Sequence, residues 1–347
     1  MNYLGKEAPE TFNNKTVFVR VDFDVSFNEK GEIVDDFRIK RCFPTIDYLI
    51  SKKAKVVLGT KLGNPKKDNG FSCERLLSCL SNISHLQFVK DYSGEEAQKA
   101  ISDLKDGEVL LLENLRLFPE EWGDEAFAQK FSSNFDFYVN EAFAMCHDSD
   151  TSVALLPKYL TSYAGFNLQK EVEVLSTVLK NPQRPLILIV GGAKIESKLP
   201  IITSFLDKAD KIIIGGKLAQ SQEAQKFANN PKVFLATCDS SGFDISQGSV
   251  GEILSNLSNL SKEGGKGTIV WAGPVGKFEE KEHENGTKMV AQALANSSAY
   301  KIAGGGDTIT AINKFGLATK FDFLSTGGGA MLQFINGKIL LGLKVLE

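Results

Sequence analysis

Residues 191–198 read Gly-Gly-Ala-Lys-Ile-Glu-Ser-Lys and follow directly on the apolar run Leu186–Val190, so a buried strand opens into a glycine turn that carries two lysines, Lys194 and Lys198, at helical spacing. Two further clusters repeat the pattern: Ala303-Gly304-Gly305-Gly306-Asp307-Thr308 and Ser325-Thr326-Gly327-Gly328-Gly329-Ala330. Glycine lets backbone amides approach a ligand and helix N-termini favour anions, so such turns at the carboxyl ends of strands suit phosphate. A single cluster is equally well explained as a tight strand-to-helix turn; three with charged neighbours point to phosphate chemistry. Lys194 and Lys198 lie where the helix dipole repels cations, a placement that helix stability does not explain and that an anion between them would. Asp307, directly after three glycines, is either a helix N-cap or an oxygen ligand for magnesium carried on nucleotide phosphates. No Gly-x-x-x-x-Gly-Lys-Ser/Thr occurs, and no Gly-x-Gly-x-x-Gly heads the first strand of either half, so neither a P-loop nor a dinucleotide-binding turn is expected.

The elements that position these turns are short β-rich runs alternating with amphipathic stretches: Thr16–Val21, Lys55–Leu58, Glu108–Leu112 and Phe135–Val139, then Leu186–Val190, Lys211–Ile214, Lys232–Leu235, Thr268–Trp271, Tyr300–Ala303 and Phe321–Leu324. Such alternation favours parallel sheets flanked by helices. Phe166–Asn181 has apolar residues near helical spacing and ends at Asn-Pro-Gln-Arg-Pro, which predicts a helix joining two lobes. The expected fold class is therefore α/β, with two lobes, each a parallel sheet flanked by helices, a joining helix and a ligand cleft between the lobes. The expected boundaries are 1–165 for the first lobe, 166–182 for the linker helix and 183–335 for the second lobe.

Composition narrows the partners. The 347 residues are 42% hydrophobic, enough for two cores. With 43 acidic and 40 basic side chains the net charge is −3, which would not recruit nucleic acid or an anionic membrane, so any anion site must be built locally. Five cysteines without CxxC spacing suit reduced core thiols better than a disulfide frame or a zinc site. No signal-type segment or bilayer-length apolar run is visible, and a cytoplasmic protein is expected.

Val19-Arg20-Val21-Asp22-Phe23, Asp35-Asp36-Phe37-Arg38-Ile39, Leu112-Glu113-Asn114-Leu115-Arg116, Tyr138-Val139-Asn140-Glu141-Ala142-Phe143, Gly191–Lys198, Trp271-Ala272-Gly273-Pro274-Val275-Gly276, Gly304–Thr308 and Ser325–Ala330 occur in one order along the chain. In sequence and order these blocks resemble the phosphoglycerate kinase family over nearly the whole length. The resemblance implies a kinase that moves a phosphoryl group between ATP/ADP and the carboxylate of 3-phosphoglycerate, with nucleotide on the C-terminal lobe and acid on the N-terminal lobe. It implies that Arg38, Lys198, Gly327 and Gly328 act on the migrating phosphoryl. Lys194, Gly191, Gly192, Gly215, Glu279, Gly305, Gly306 and Thr308 would hold the nucleotide, Glu279 at the ribose, and Asp307 the Mg2+. Asp22, Asp24, Arg38, Lys61, Arg116 and His147 would line the acceptor site. A monomer, and a C-terminal tail of about 336–347 packing back onto the first lobe as part of a hinge, follow from the same resemblance.

The chain also departs from the family. Ser-His-Leu-Gly-Arg-Pro of the family is Thr60-Lys61-Leu62-Gly63-Asn64-Pro65 here, His-Arg-Ala-His is His147-Asp148-Ser149-Asp150, and the asparagine after Asp22-Phe23 is Asp24. Two carboxylates thus stand where an arginine and a histidine would face the acceptor's phosphate, which predicts weakened binding; Lys61, Lys66 and Lys67 are available to compensate. In the second half Gly-Gly-Gly-Met-Ala is Gly215-Gly216-Lys217-Leu218-Ala219, Trp-Asn-Gly-Pro is Trp271-Ala272-Gly273-Pro274, and the stretch between Ala219 and Thr268 is shorter than the family's. Three readings follow: a divergent phosphoglycerate kinase, a phosphotransferase for a different carboxylate acceptor, or an inactive nucleotide-binding or scaffold paralogue.

Overall fold

Continuous apolar runs become the central strands of two parallel sheets. The structure, a computed structural model, describes residues 1–65, 70–192, 195–262 and 267–347. The chain divides into two units, Met1–Val172 with Ile339–Glu347, and Glu173–Lys338. The first contains β1 (Thr16–Arg20), β2 (Lys55–Gly59), β3 (Leu86–Phe88), β4 (Val109–Leu111), β5 (Phe137–Asn140) and β6 (Thr161–Ala164), in the order β3-β4-β2-β1-β5-β6. The second contains β7 (Leu186–Val190), β8 (Lys211–Ile214), β9 (Val233–Leu235), β10 (Thr268–Ala272), β11 (Tyr300–Gly304) and β12 (Phe323–Ser325), in the order β12-β11-β10-β7-β8-β9. Every pairing in both sheets is parallel.

Parallel strands are covered on both faces, so their sequences need not alternate. In β7 the run Leu-Ile-Leu-Ile-Val is at most 3% exposed, and burying each such side chain contributes about 1.5–3 kcal/mol. Two edge strands escape sequence reading. β3 is a three-residue piece with no fully buried position, and β6 is Thr-Ser-Tyr-Ala; short or polar edges are how sheets avoid pairing with other chains.

The helix Phe166–Lys180 carries the chain from the first unit into the second. Its first turn is fastened to β5: the Glu141 carboxylate accepts from the amides of Asn167 (3.0 Å) and Leu168 (3.1 Å) and from the Thr45 hydroxyl (2.7 Å). Ile339–Glu347 returns to the first unit, where the Gly342 amide donates to the Cys146 carbonyl at 2.8 Å and Leu340, Leu343 and Leu346 are buried. Among the described residues no helix is long and apolar enough to cross a membrane.

Candidate active site

In the second unit the strand order reverses between β7 and β10: the chain steps outward from β7 to β8 and β9, then crosses to β10 and steps the other way. Open α/β sheets bind ligands beyond the carboxyl ends of the strands at such a point. Here the two strands end in glycine. A Cβ on Gly191 would collide with the carbonyls of Gly273 and Pro274, and Gly273 holds φ +103, a backbone that side chains disfavour. The close approach leaves room for one group, the Lys198 ammonium, which reaches back from the helix Ile195–Phe205 to donate to the Gly191 carbonyl. A Cβ on Gly192 or Gly273 would press on that ammonium. Lys194 lies outside the described residues.

The neighbouring turns close around the same edge. Gly215 takes its amide to the Val190 carbonyl at 2.9 Å and packs on Val275 too closely for a Cβ. Gly305, at φ +100, is the N-cap of the helix Gly306–Lys314 and lies 3.4 Å, measured from an added Cβ, from the Gly328 Cα. Asp307 therefore is not the N-cap, one of its two expected roles: it is a first-turn residue, exposed, and lines a cavity of about 250 Å³ with Gly192, Gly216, Lys217, Phe243 and Glu279. Thr308 is 1% exposed and its hydroxyl accepts from the Gly273 amide at 2.7 Å, which ties the β10 and β11 turns together. Gly327 donates its amide to the Ser325 hydroxyl at 3.2 Å, and with Gly328 it leads into the helix Gly329–Ile335.

Sequence reading missed Phe243. Its ring is 42% exposed, with the Lys277 and Lys217 ammonium groups 5.2 and 6.0 Å from its centroid. The signal was a lone aromatic after Ser-Ser-Gly in a polar loop. A larger cavity, about 600 Å³, opens beside the edge strand β9 around Gln220, Phe234 and Cys238. It has no charged lining residue and none of the strand-end glycine turns, so the smaller cavity is the candidate site.

In the first unit the order reverses between β1 and β5. At the carboxyl edge Arg38, Lys61 and Arg116 are each paired with a carboxylate. Arg38, in the first turn of the helix Phe37–Ser51 where the dipole opposes a cation, lies 3.3 Å from Asp22 and 3.9 Å from Asp24. The Lys61 ammonium lies 2.7 Å from Asp24, which also accepts from the Gly63 amide at 2.9 Å. Burial works against the Asp24 charge, yet Lys61 and then Arg38 hold its carboxyl below the usual range. Arg116 donates to Asp148 at 2.7 Å and to Asp150 at 2.9 and 3.2 Å. Burial again opposes the charge, but Asp150 first and Asp148 after it raise the Arg116 pKa. His147 reaches Asp148 at 3.4 Å, and its Nδ1 is buried without a hydrogen-bond partner, as is Oδ2 of Asp22.

The added carboxylates are themselves paired: Asp24 with Lys61, and Asp148 and Asp150 with Arg116. Around Arg38, Lys61 and Arg116 stand Asp22, Asp24, Asp148 and Asp150. Lys66 and Lys67 lie outside the described residues. Asn114, quoted in a motif but given no role by sequence reading, proves central. Fully buried, it joins the β2 and β4 loops through both Leu62 backbone groups (3.1 and 2.7 Å) and accepts from the Arg116 amide at 3.2 Å.

The chain is similar to known proteins over nearly its whole length. The family model for Phosphoglycerate kinase matches residues 8–230 and 220–338. The chain is 36% identical to the phosphoglycerate kinase of Coprothermobacter proteolyticus, covering 96% of each, and 37% identical to that of Fervidobacterium nodosum, covering 95% of this chain and 94% of the relative. The crystal structure of phosphoglycerate kinase from Pyrococcus horikoshii superposes with a TM-score of 0.88 at 30% identity, covering 100% of this chain and 98% of that one. Full-length similarity of this kind, on two parallel six-stranded sheets, places the chain in the phosphoglycerate kinase family.

Proposed function

We propose that the chain carries out the reaction of its family, reversible transfer of the γ-phosphoryl group of ATP to the carboxylate of 3-phosphoglycerate, as in glycolysis. The observation that carries this reading is the Lys198 ammonium held on the Gly191 carbonyl at the β7/β10 reversal, a positive charge fixed beside the glycine turns that follow these strands. A carboxylate acceptor is already ionised at neutral pH and needs no general base, so catalysis reduces to positioning and charge neutralisation. Within the second unit Lys198 stabilises the transferring phosphoryl with the Gly327-Gly328 turn; on the first unit Arg38 is the catalytic residue of the acceptor side. Gly191, Gly192, Gly215, Gly305, Gly306, Thr308 and Lys194 belong to the nucleotide's phosphate end, and Glu279 to its ribose. On the first unit Asp22, Asp24, Lys61, Arg116 and His147 hold the acid.

Asp307 fits a magnesium role. It is exposed, free of capping duty and on the cavity wall, and magnesium on a nucleotide takes one or two carboxylates plus phosphates rather than a protein cage. Magnesium would supply charge neutralisation on the phosphates. A cytoplasmic monomer acting on small molecules, without nucleic-acid or membrane partners, completes the proposal and suits the net charge of −3. The paired cations of the first unit favour one second reading, a carboxylate acceptor that lacks a phosphate.

The test is a coupled assay with Mg-ATP and 3-phosphoglycerate on wild type and Lys198→Ala. Turnover in the wild type, with kcat reduced about 1000-fold and nucleotide Kd little changed in the variant, is expected. Equal turnover in the two proteins would remove Lys198 from the mechanism; none in the wild type would remove the acceptor.

A further inference from the structure

The two N–H bonds on the Nε/Nη2 side of a guanidinium form the fork that grips a phosphate or carboxylate in parallel. In Arg116 that fork is occupied: Nε and Nη2 both donate to Asp150, at 3.2 and 2.9 Å, and Nη2 also donates to Asp148 at 2.7 Å. The Trp122 ring stands 5.4 Å from the guanidinium carbon. Asp150 is 6% exposed, and the residues after it are pinned: the Thr151 hydroxyl donates to the Glu120 carbonyl at 2.6 Å, and the Ser152 hydroxyl to Glu121 at 2.5 Å. Asp148 is the more accessible partner, its side chain 24% exposed.

We propose that Asp148 and Asp150 are specificity-determining residues of the acceptor site, internal ligands of Arg116 of which a phosphorylated acid must displace the first and compete with the second. This rests on the acceptor reading above and adds what sets its affinity. Asp148 swings to solvent and frees one Nη2 bond; Asp150 is held by its neighbours and stays, so the incoming dianion meets a guanidinium already half neutralised. Acids with a doubly charged phosphate are penalised, while acids without one are not.

The experiment measures Kd by calorimetry and KM by coupled assay for 3-phosphoglycerate, and Kd for glycerate, on wild type, Asp148→Asn and Asp148→Asn/Asp150→Asn, with thermal unfolding of each. For 3-phosphoglycerate the double variant tightens Kd and lowers KM at least tenfold, with kcat changed less than threefold, and the single variant moves the same way by less. Glycerate binding shifts less than twofold or stays undetectable throughout. An unchanged or weaker Kd for 3-phosphoglycerate in either variant that melts like wild type overturns the proposal, as does equal tightening toward glycerate. Turnover with the same KM in all proteins keeps the acceptor and removes the internal competition. Absence of both binding and turnover in every protein, with Mg-ATP still bound, overturns the acceptor and this inference together.

Discussion

The Lys198 ammonium rests on the Gly191 carbonyl in a space that Gly192 and Gly273 leave open. The three glycines are therefore part of how one lysine is aimed: each lacks the carbon that would displace either the ammonium or the opposing strand end.

Gly273→Ala tests this. The new Cβ would strike the Gly191 carbonyl and the Lys198 ammonium, at a residue whose φ is +103. Strain of about 1–3 kcal/mol is expected, and a misplacement of about 1 Å at a reacting group costs about 100-fold in rate. The expected result is a kcat near one hundredth of wild type in a protein that still folds, read by steady-state kinetics beside circular dichroism. Wild-type kcat would show that the lysine is placed by other means.

Asp307→Ala separates two roles by stability. Were Asp307 a cap, losing its side-chain acceptor would cost about 1 kcal/mol, a shift of a few degrees in Tm. Since Gly305 is the cap and no side chain caps this helix, Tm should be unchanged while the magnesium concentration for half-maximal rate rises about tenfold. A lowered Tm with unaltered magnesium dependence would return the residue to a structural role.

Fold and site differ in how far the sequence reveals them. Leu186–Val190 and Lys211–Ile214 are legible to the residue because parallel strands buried on both faces carry β-branched and leucine runs bounded by proline, aspartate or glycine. β6 is not, since Thr-Ser-Tyr-Ala at a sheet edge has no pattern to follow. The glycine turns after β7, β11 and β12 are visible because the backbone demands them locally. Which charge meets which is invisible: Asp24 with Lys61, or Arg116 with Asp148 and Asp150, are pairings set by which strand ends the sheet order brings together. Arg20, fully buried at the end of β1 with its Nε on the Ser152 hydroxyl at 2.7 Å, is hidden for the same reason.

Stability should depend on pH through Glu121. Its carboxyl is fully buried; burial pushes its pKa from the ordinary 4.5 up to about 7, against the pull of Arg20. The folded state then holds a proton that the unfolded state has released, so this contribution is fully present below pH 4.5 and is lost as pH rises through about 7. A shift of this size corresponds to on the order of 3 kcal/mol. Glu141, raised to about 8 by burial, acts in the same direction at slightly higher pH. Thermal unfolding of wild type should fall between pH 5 and 8, and Glu121→Gln should flatten the part below 7. A variant whose Tm falls as steeply as wild type would assign the slope elsewhere.

Gly165→Ala should loosen the connecting helix at its root. A Cβ there would run into the Glu141 carboxylate and come within 3.1 Å of the Thr45 hydroxyl, the two groups that serve the amides of Phe166, Asn167 and Leu168. Moving the carboxylate aside leaves buried donors unsatisfied at about 1–3 kcal/mol each, so a loss of about 2–4 kcal/mol is expected in urea unfolding. Glu141→Ala removes the same acceptor without adding a carbon. If the mechanism is the lost cap, the double variant is no less stable than the worse single one, because the added carbon no longer has a carboxylate to displace. Additive losses would mean that Gly165 matters for backbone conformation instead.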